Sequence, residues 1–172
     1  MKRFNFGTLL ALAAIACLAV PTVASAERFF ARLIGAEEVP ANTSVATGDF
    51  VFTFQLLAPT LPSQNPYSLT YSGLEGIVQQ AHIHIGQPGV NGGISIWLCG
   101  TAALPGPAGT PLCPQAGTVT GQITAAKVIG PAGQRVEAGA FLEVIQALRR
   151  GIGYVNVHTS VLPGGEIRGV VR

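Results

Sequence analysis

The residues of this 172-residue chain best equipped for chemistry are its three histidines. His82 and His84 stand two apart in "AHIHIG" (81–86), and His158 lies in "YVNVHT" (154–159). On a β-strand, residues two apart share a face and sit about 6.6 Å from each other. Two imidazoles so placed can converge on one ion at a metal–nitrogen distance of about 2 Å. A third from another strand would complete a three-ligand site with an open position, suited to copper or zinc. The plainer alternative is three histidines on the outer face of a sheet, hydrogen-bonded to Glu166, Asn156 or loop carbonyls. An H-x-H pair is a weak signal by itself. The expectation taken from sequence is therefore that these rings face the same water without meeting.

The strands carrying them repeat one pattern. In 81–85, Ala81, Ile83 and Ile85 oppose His82 and His84. In 154–158, Val155 and Val157 oppose Tyr154, Asn156 and His158. In 166–171, Ile167, Gly169 and Val171 oppose Glu166, Arg168 and Val170. If the apolar faces share a core, His82, His84, Asn156, His158, Glu166 and Arg168 are available to one polar surface. Glu166 and Arg168 read as a salt bridge or a clamp on a loop. An anion-guiding role for Arg168 depends on a metal being present. No nucleophile–base–acid arrangement follows from spacing, so no catalytic residue is assigned. "GQPGVNGG" (86–93) reads as a tight turn of fixed conformation.

The elements that must position these residues form an all-β pattern. Short alternating runs separated by Gly and Pro (22 and 12 residues) predict a Greek-key β-sandwich or barrel of about eight strands. The predicted strands are 28–34, 49–57, 67–73, 78–85, 94–99, 117–125, 153–158 and 166–171. "LPGG" (162–165) predicts that the last two pair as a hairpin. One stretch breaks the alternation. Residues 136–151 carry Phe141, Leu142, Ile145 and Leu148 at helical spacing, with Glu137 early, Arg149 and Arg150 late and Gly151 beyond. They predict a short crossover helix docked by its apolar stripe.

Residues 1–26 read as a signal peptide: "MKR", an apolar run over 7–20, and "ASA" (24–26) as a cleavage pattern. Cleavage near Ala26 predicts a secreted or periplasmic domain over 27–172 with no transmembrane segment. A lipoprotein site at Cys17 is the weaker alternative, since "AIA" before it lacks the usual leucine. The formal charge of +2 is matched by Lys2 and Arg3 in the leader, leaving a neutral domain. It has no basic stripe with interleaved aromatics, which argues against a nucleic-acid partner. Cys99 and Cys113 survive processing and predict a structural disulfide across a Pro/Gly-rich loop, not a C-x-x-C redox or metal pair.

"GAEEVPANTSVATGDF" (35–50), "AHIHIGQPGVNGGI" (81–94) and "YVNVHTSVLPGGEIRGVV" (154–171) together resemble the CHRD domain, named from chordin and found in many bacterial exported proteins. The resemblance covers nearly all of residues 27–172 and implies one β-rich extracellular domain without an established activity. The Cys99–Cys113 pair and its loop look like a local elaboration. "HIHIG" and "IRGVV" are also similar to two pieces of copper/zinc superoxide dismutases. That likeness would make His82 and His84 copper ligands and Arg168 an anion guide. With three histidines and one aspartate, Asp49, a full two-metal site is excluded. The resemblance implies a non-catalytic extracytoplasmic binding or structural module, whose partner would be an extracellular or envelope protein or a glycan. The alternative is a mononuclear copper or zinc protein built on His82, His84 and His158.

Overall fold

The computed structural model describes residues 26–55 and 65–172. The expected leader, apart from Ala26, lies outside the described residues, as do Leu56 and Leu57 of the second predicted strand.

Eight strands form one antiparallel sheet: β1 (Glu27–Ile34), β2 (Thr47–Phe54), β3 (Pro66–Ser72), β4 (Val78–Ile85), β5 (Gly93–Cys99), β6 (Gly117–Gln122), β7 (Gly153–Thr159) and β8 (Ile167–Val170). Their order is β5-β4-β7-β8-β1-β2-β3-β6. An isolated bridge between Ile96 and Val128 brings the chain after β6 back against β5 and nearly closes the sheet into a barrel. Around that closure β7, β4, β5 and β6 follow one another, which is the Greek-key order. The expected hairpin is present, with β7 paired to β8 from Tyr154–Val170 to Val157–Ile167.

Alternation explains the core. Phe50, Phe52 and Phe54 of β2 point inward with Phe29, Ala31 and Leu33 of β1 and Tyr67, Leu69 and Tyr71 of β3. Ala81, Ile83, Val155, Val157 and Ile167 complete the far wall, all fully buried. Burial of such side chains contributes about 1.5–3 kcal/mol each before conformational entropy is set against it. Gly169 has a packing reason: a Cβ there would run into the Arg32 carbonyl of β1.

The helix α1 is shorter than its sequence pattern predicts, Phe141–Arg149. Gly139 takes a left-handed φ of 85°, so residues before Ala140 cannot join it. Val144, Ile145, Ala147 and Leu148 form its buried side, whereas Leu142 is half exposed and leaves the predicted stripe. Phe141 packs edge-on against Phe54, and Arg149 pairs with Glu27, docking the helix at one end of the barrel. The disulfide joins Cys99 to Cys113 with Cα atoms 5.0 Å apart.

A larger difference concerns the outer face of β4, β7 and β8. The alternation places polar side chains there as expected, yet His82, His84, Asn156, His158, Glu166 and Arg168 are all buried. Period-two patterning gives the side on which a residue lies, not what lies over it. Here the loops after β1, β4 and β7 fold back across that side.

Candidate metal centre

β4 lies between β5 and β7, so His82 has Trp97 opposite on one flank and Asn156 on the other. The row continues from Asn156 to Arg168 on β8 and reaches Ile34 on β1. His84 lies opposite Tyr154, and His158 opposite Gln80. The β4–β5 register shifts on both sides of the His82–Ile83 segment. Bulges of this kind locally re-aim side chains, and they bring the Trp97 ring to 4.3 Å from the His82 ring, edge to face.

The three imidazoles meet. One ligating nitrogen from each lies within 4.8 Å of those of the other two. His82 is fully buried, and His84 and His158 are 7% exposed. The expectation that they face the same water is thus corrected, because the loops exclude that water.

Carbonyl contacts set the protons. His84 Nδ1 donates to the Gly92 carbonyl at 3.0 Å, and His158 Nδ1 donates to the Pro163 carbonyl at 2.9 Å. A carbonyl only accepts, so each Nδ1 carries hydrogen and each neutral ring has its lone pair on Nε2. His82 Nδ1 then donates to His158 Nε2 at 3.2 Å. Nε2 of His82 and Nε2 of His84 are buried without a hydrogen-bond partner. Burial, followed by the neighbouring His158 and His84, pushes the His82 pKa down to about 2. Burial also dominates at His84, taking it to about 4, and at His158, where the direction is again downward. All three rings are neutral near pH 7, the state in which imidazole ligates metal.

The two nitrogens 3.2 Å apart already match the separation of about 3.4 Å expected for two ligands of one ion at a bond length of 2.0–2.1 Å. His82 can offer Nδ1 by keeping its hydrogen on Nε2 instead. His84 would need to close in by about an ångström.

Glu166 and Arg168 hold the two loops that orient these rings. Fully buried Glu166 accepts hydrogen bonds from Ser44 Oγ (2.8 Å), Glu75 N (2.7 Å) and Thr159 Oγ1 (2.7 Å). Burial alone would raise its pKa, but these donors outweigh it and hold the carboxyl below the ordinary value. Thr159 Oγ1 also accepts from Leu162 N, fixing the turn that presents the Pro163 carbonyl to His158. Arg168 pairs with Glu38 at 2.9 Å, donates to Asn91 Oδ1 at 2.6 Å and lies 4.1 Å from the Tyr154 ring centroid. Tyr154 stacks on His84, and its hydroxyl accepts from Gly92 N.

The clamp expected of Glu166 and Arg168 is therefore present, but as two clamps on different loops. The salt bridge runs from Arg168 to Glu38, not to Glu166. Arg168 is 3% exposed, so it has no solvent face with which to guide an anion, although its Nε has no hydrogen-bond partner. Glu38, Trp97, Ser44 and Thr159 were given no role by sequence reasoning. Glu38 was discoverable in principle, since a buried arginine requires a counter-charge and Glu38 lies in the motif at 35–50. Gly165, left-handed at φ 135°, passes directly over its carboxylate where a side chain would collide.

The fold and site define a Greek-key barrel with a loop-covered histidine cluster on its outer wall. The family model of the CHRD domain matches residues 29–171, and the chain belongs to that family. Neither curated proteins nor solved structures give a significant match. The disulfide fits an extracytoplasmic protein. No helix among the described residues is long and apolar enough to cross a membrane.

Proposed function

We propose that this CHRD domain is an exported module that binds one transition-metal ion, copper or zinc, through His82, His84 and His158. The observation that carries the reading is the convergence of three buried neutral imidazoles, two with Nδ1–H committed to loop carbonyls. That is the arrangement in which outer partners fix the tautomer and aim the ligating nitrogen. Export rests on the leader pattern at residues 1–26 and is supported by the disulfide.

The test is metal analysis and titration of protein without a histidine tag, followed through Trp97, the only tryptophan. Its contact with the His82 ring makes its emission sensitive to copper there. One equivalent taken up by the native chain, and lost in His84→Gln, is the expected result. No stoichiometric uptake, or uptake unchanged in His84→Gln, overturns the metal reading.

A second reading keeps one observation in its favour. The His82–His158 hydrogen bond satisfies two ring nitrogens without any ion. On that reading the cluster is a structural joint between barrel and loops, and the domain binds an extracellular or envelope partner elsewhere. It leaves Nε2 of His84 unpaired in the interior, a cost of about 1–3 kcal/mol that a bound ion would remove.

A further inference from the structure

We infer that the ion this site selects is monovalent copper, Cu(I), held by three nitrogens without a water ligand. The inference rests on the metal-binding reading above and goes beyond it in naming the oxidation state and coordination.

Charge favours a monovalent ion. All three donors are neutral imidazoles, and no anion joins them among the described residues. The ligand group holds the three histidines and no carboxylate; Glu38 pairs with Arg168 through Oε2, and Glu166 is held by Ser44, Thr159 and Glu75. Cys99 and Cys113 are tied in the disulfide, so neither supplies a thiolate. An ion bound here keeps its full charge in the interior. Desolvation cost rises with the square of charge, so a divalent ion is penalised about four times as heavily as a monovalent one. The Arg168 cation adds no relief, since its charge is only balanced by Glu38.

Coordination favours the same ion. Zinc at three histidines ordinarily completes a tetrahedron with water or hydroxide, which also offsets its charge. Copper(II) favours four ligands in a tetragonal plane. Both need room and solvent at a fourth position. Here Trp97 lies against His82, which is wholly buried, Tyr154 stacks on His84, and the ligating Nε2 of His84 is out of contact with solvent. Copper(I), with a filled d shell and no geometric demand, accepts three nitrogens in a plane. The same cover shields it from inner-sphere contact with other molecules, which suits holding the ion.

The experiment uses the whole mature domain, tag-free and without oxygen. Cu(I) is titrated against a chromophoric Cu(I) chelator, and Zn(II) and Cu(II) against chelators of matched strength. X-ray absorption of the Cu(I) form counts the ligands. The expected result is one Cu(I) per chain, bound at least about a hundredfold more tightly than Zn(II), with three nitrogen neighbours. His84→Gln and His158→Gln should each lose at least about a hundredfold in Cu(I) affinity while retaining native circular dichroism. Zn(II) or Cu(II) bound as tightly as Cu(I), or a fourth light ligand on Cu(I), overturns this inference and leaves the metal reading standing. Failure of all three ions to bind overturns both. The ranking is read on the native chain, so it stands even if a variant does not fold.

Discussion

Acid should destabilise the metal-free domain through its buried histidines. The perturbation is a change from pH 7 to pH 5. Unfolded histidine takes up a proton around pH 6.5, but burial holds folded His82 near 2 and folded His84 near 4. Below about pH 6.5 the unfolded chain therefore binds more protons than the native one, and stability falls as pH falls. The loss continues for each ring until its folded pKa is reached. At pH 5 each of these two rings contributes a penalty of about 2 kcal/mol, about 4 kcal/mol together. His158 shifts in the same direction and adds to it. That is a large part of the 5–15 kcal/mol typical of a domain. With a urea dependence of about 2 kcal/mol per molar, the unfolding midpoint should drop by about 2 M. Trp97 fluorescence reports the transition, and histidine NMR signals should show no titration of His82 between pH 7 and 5. His82→Gln should weaken the pH dependence by about 2 kcal/mol over that interval, whatever it does to stability at pH 7. A midpoint that stays constant from pH 7 to 5 would refute the burial argument.

Three further outcomes follow from single contacts. Glu166→Gln keeps the shape but removes the charge that four donors share, Gly76 N being the fourth, and should cost about 2–4 kcal/mol in chemical denaturation. The native Glu166, with its lowered pKa, contributes stability above its unfolded value that is lost as pH falls through the folded one. The variant should lack that acid limb, and an unchanged pH profile below 5 would count against the clamp. Reducing Cys99–Cys113, fourteen residues apart, should cost about 3 kcal/mol, read as a reductant-dependent fall in the urea midpoint. Gly169→Ala drives a methyl into the Arg32 carbonyl and should destabilise by about 1–3 kcal/mol or more; a neutral result would mean that β1 and β8 part easily.

Much of the barrel was legible because its strands are one-sided. β4 begins and ends where alternation and flanking turns put it, at Val78 and Ile85, and the 162–165 turn does join β7 to β8. The helix was legible in kind but not in extent. Its predicted stripe included Leu142, because spacing alone cannot register that a left-handed Gly139 delays the first turn. The site was half legible. Strand period placed all six polar residues on one side, but burial of that side depends on loops whose anchors are remote in sequence. Ser44 reaches Glu166 across 122 positions, and Arg168 meets Val90 across 78. No local pattern carries such distances. Trp97 escaped for another reason: the bulges flanking it shift the β4–β5 register, which simple alternation assumes constant.

The placement of the three family-like stretches bears on what they serve. If they existed to build the barrel, their distinctive residues would point inward with the aromatic and aliphatic core, which draws on strands throughout the sheet. Their polar residues instead converge on one small region outside it. The stretch at 35–50 supplies Glu38 to Arg168 and Ser44 to Glu166. The stretch at 81–94 supplies His82, His84 and the Gly92 carbonyl, and the last supplies His158, Tyr154, the Pro163 carbonyl and both charged clamps. Burying an ion pair and a lone carboxylate is expensive and adds little that an apolar wall could not provide more cheaply. What these groups do achieve is directional: each pins a loop, and two of those loops orient a histidine through a single carbonyl. An arrangement that fixes the aim of imidazole nitrogens at a cost in stability supports the metal reading proposed above, and it is the strongest physical reason to look for an ion between His82, His84 and His158.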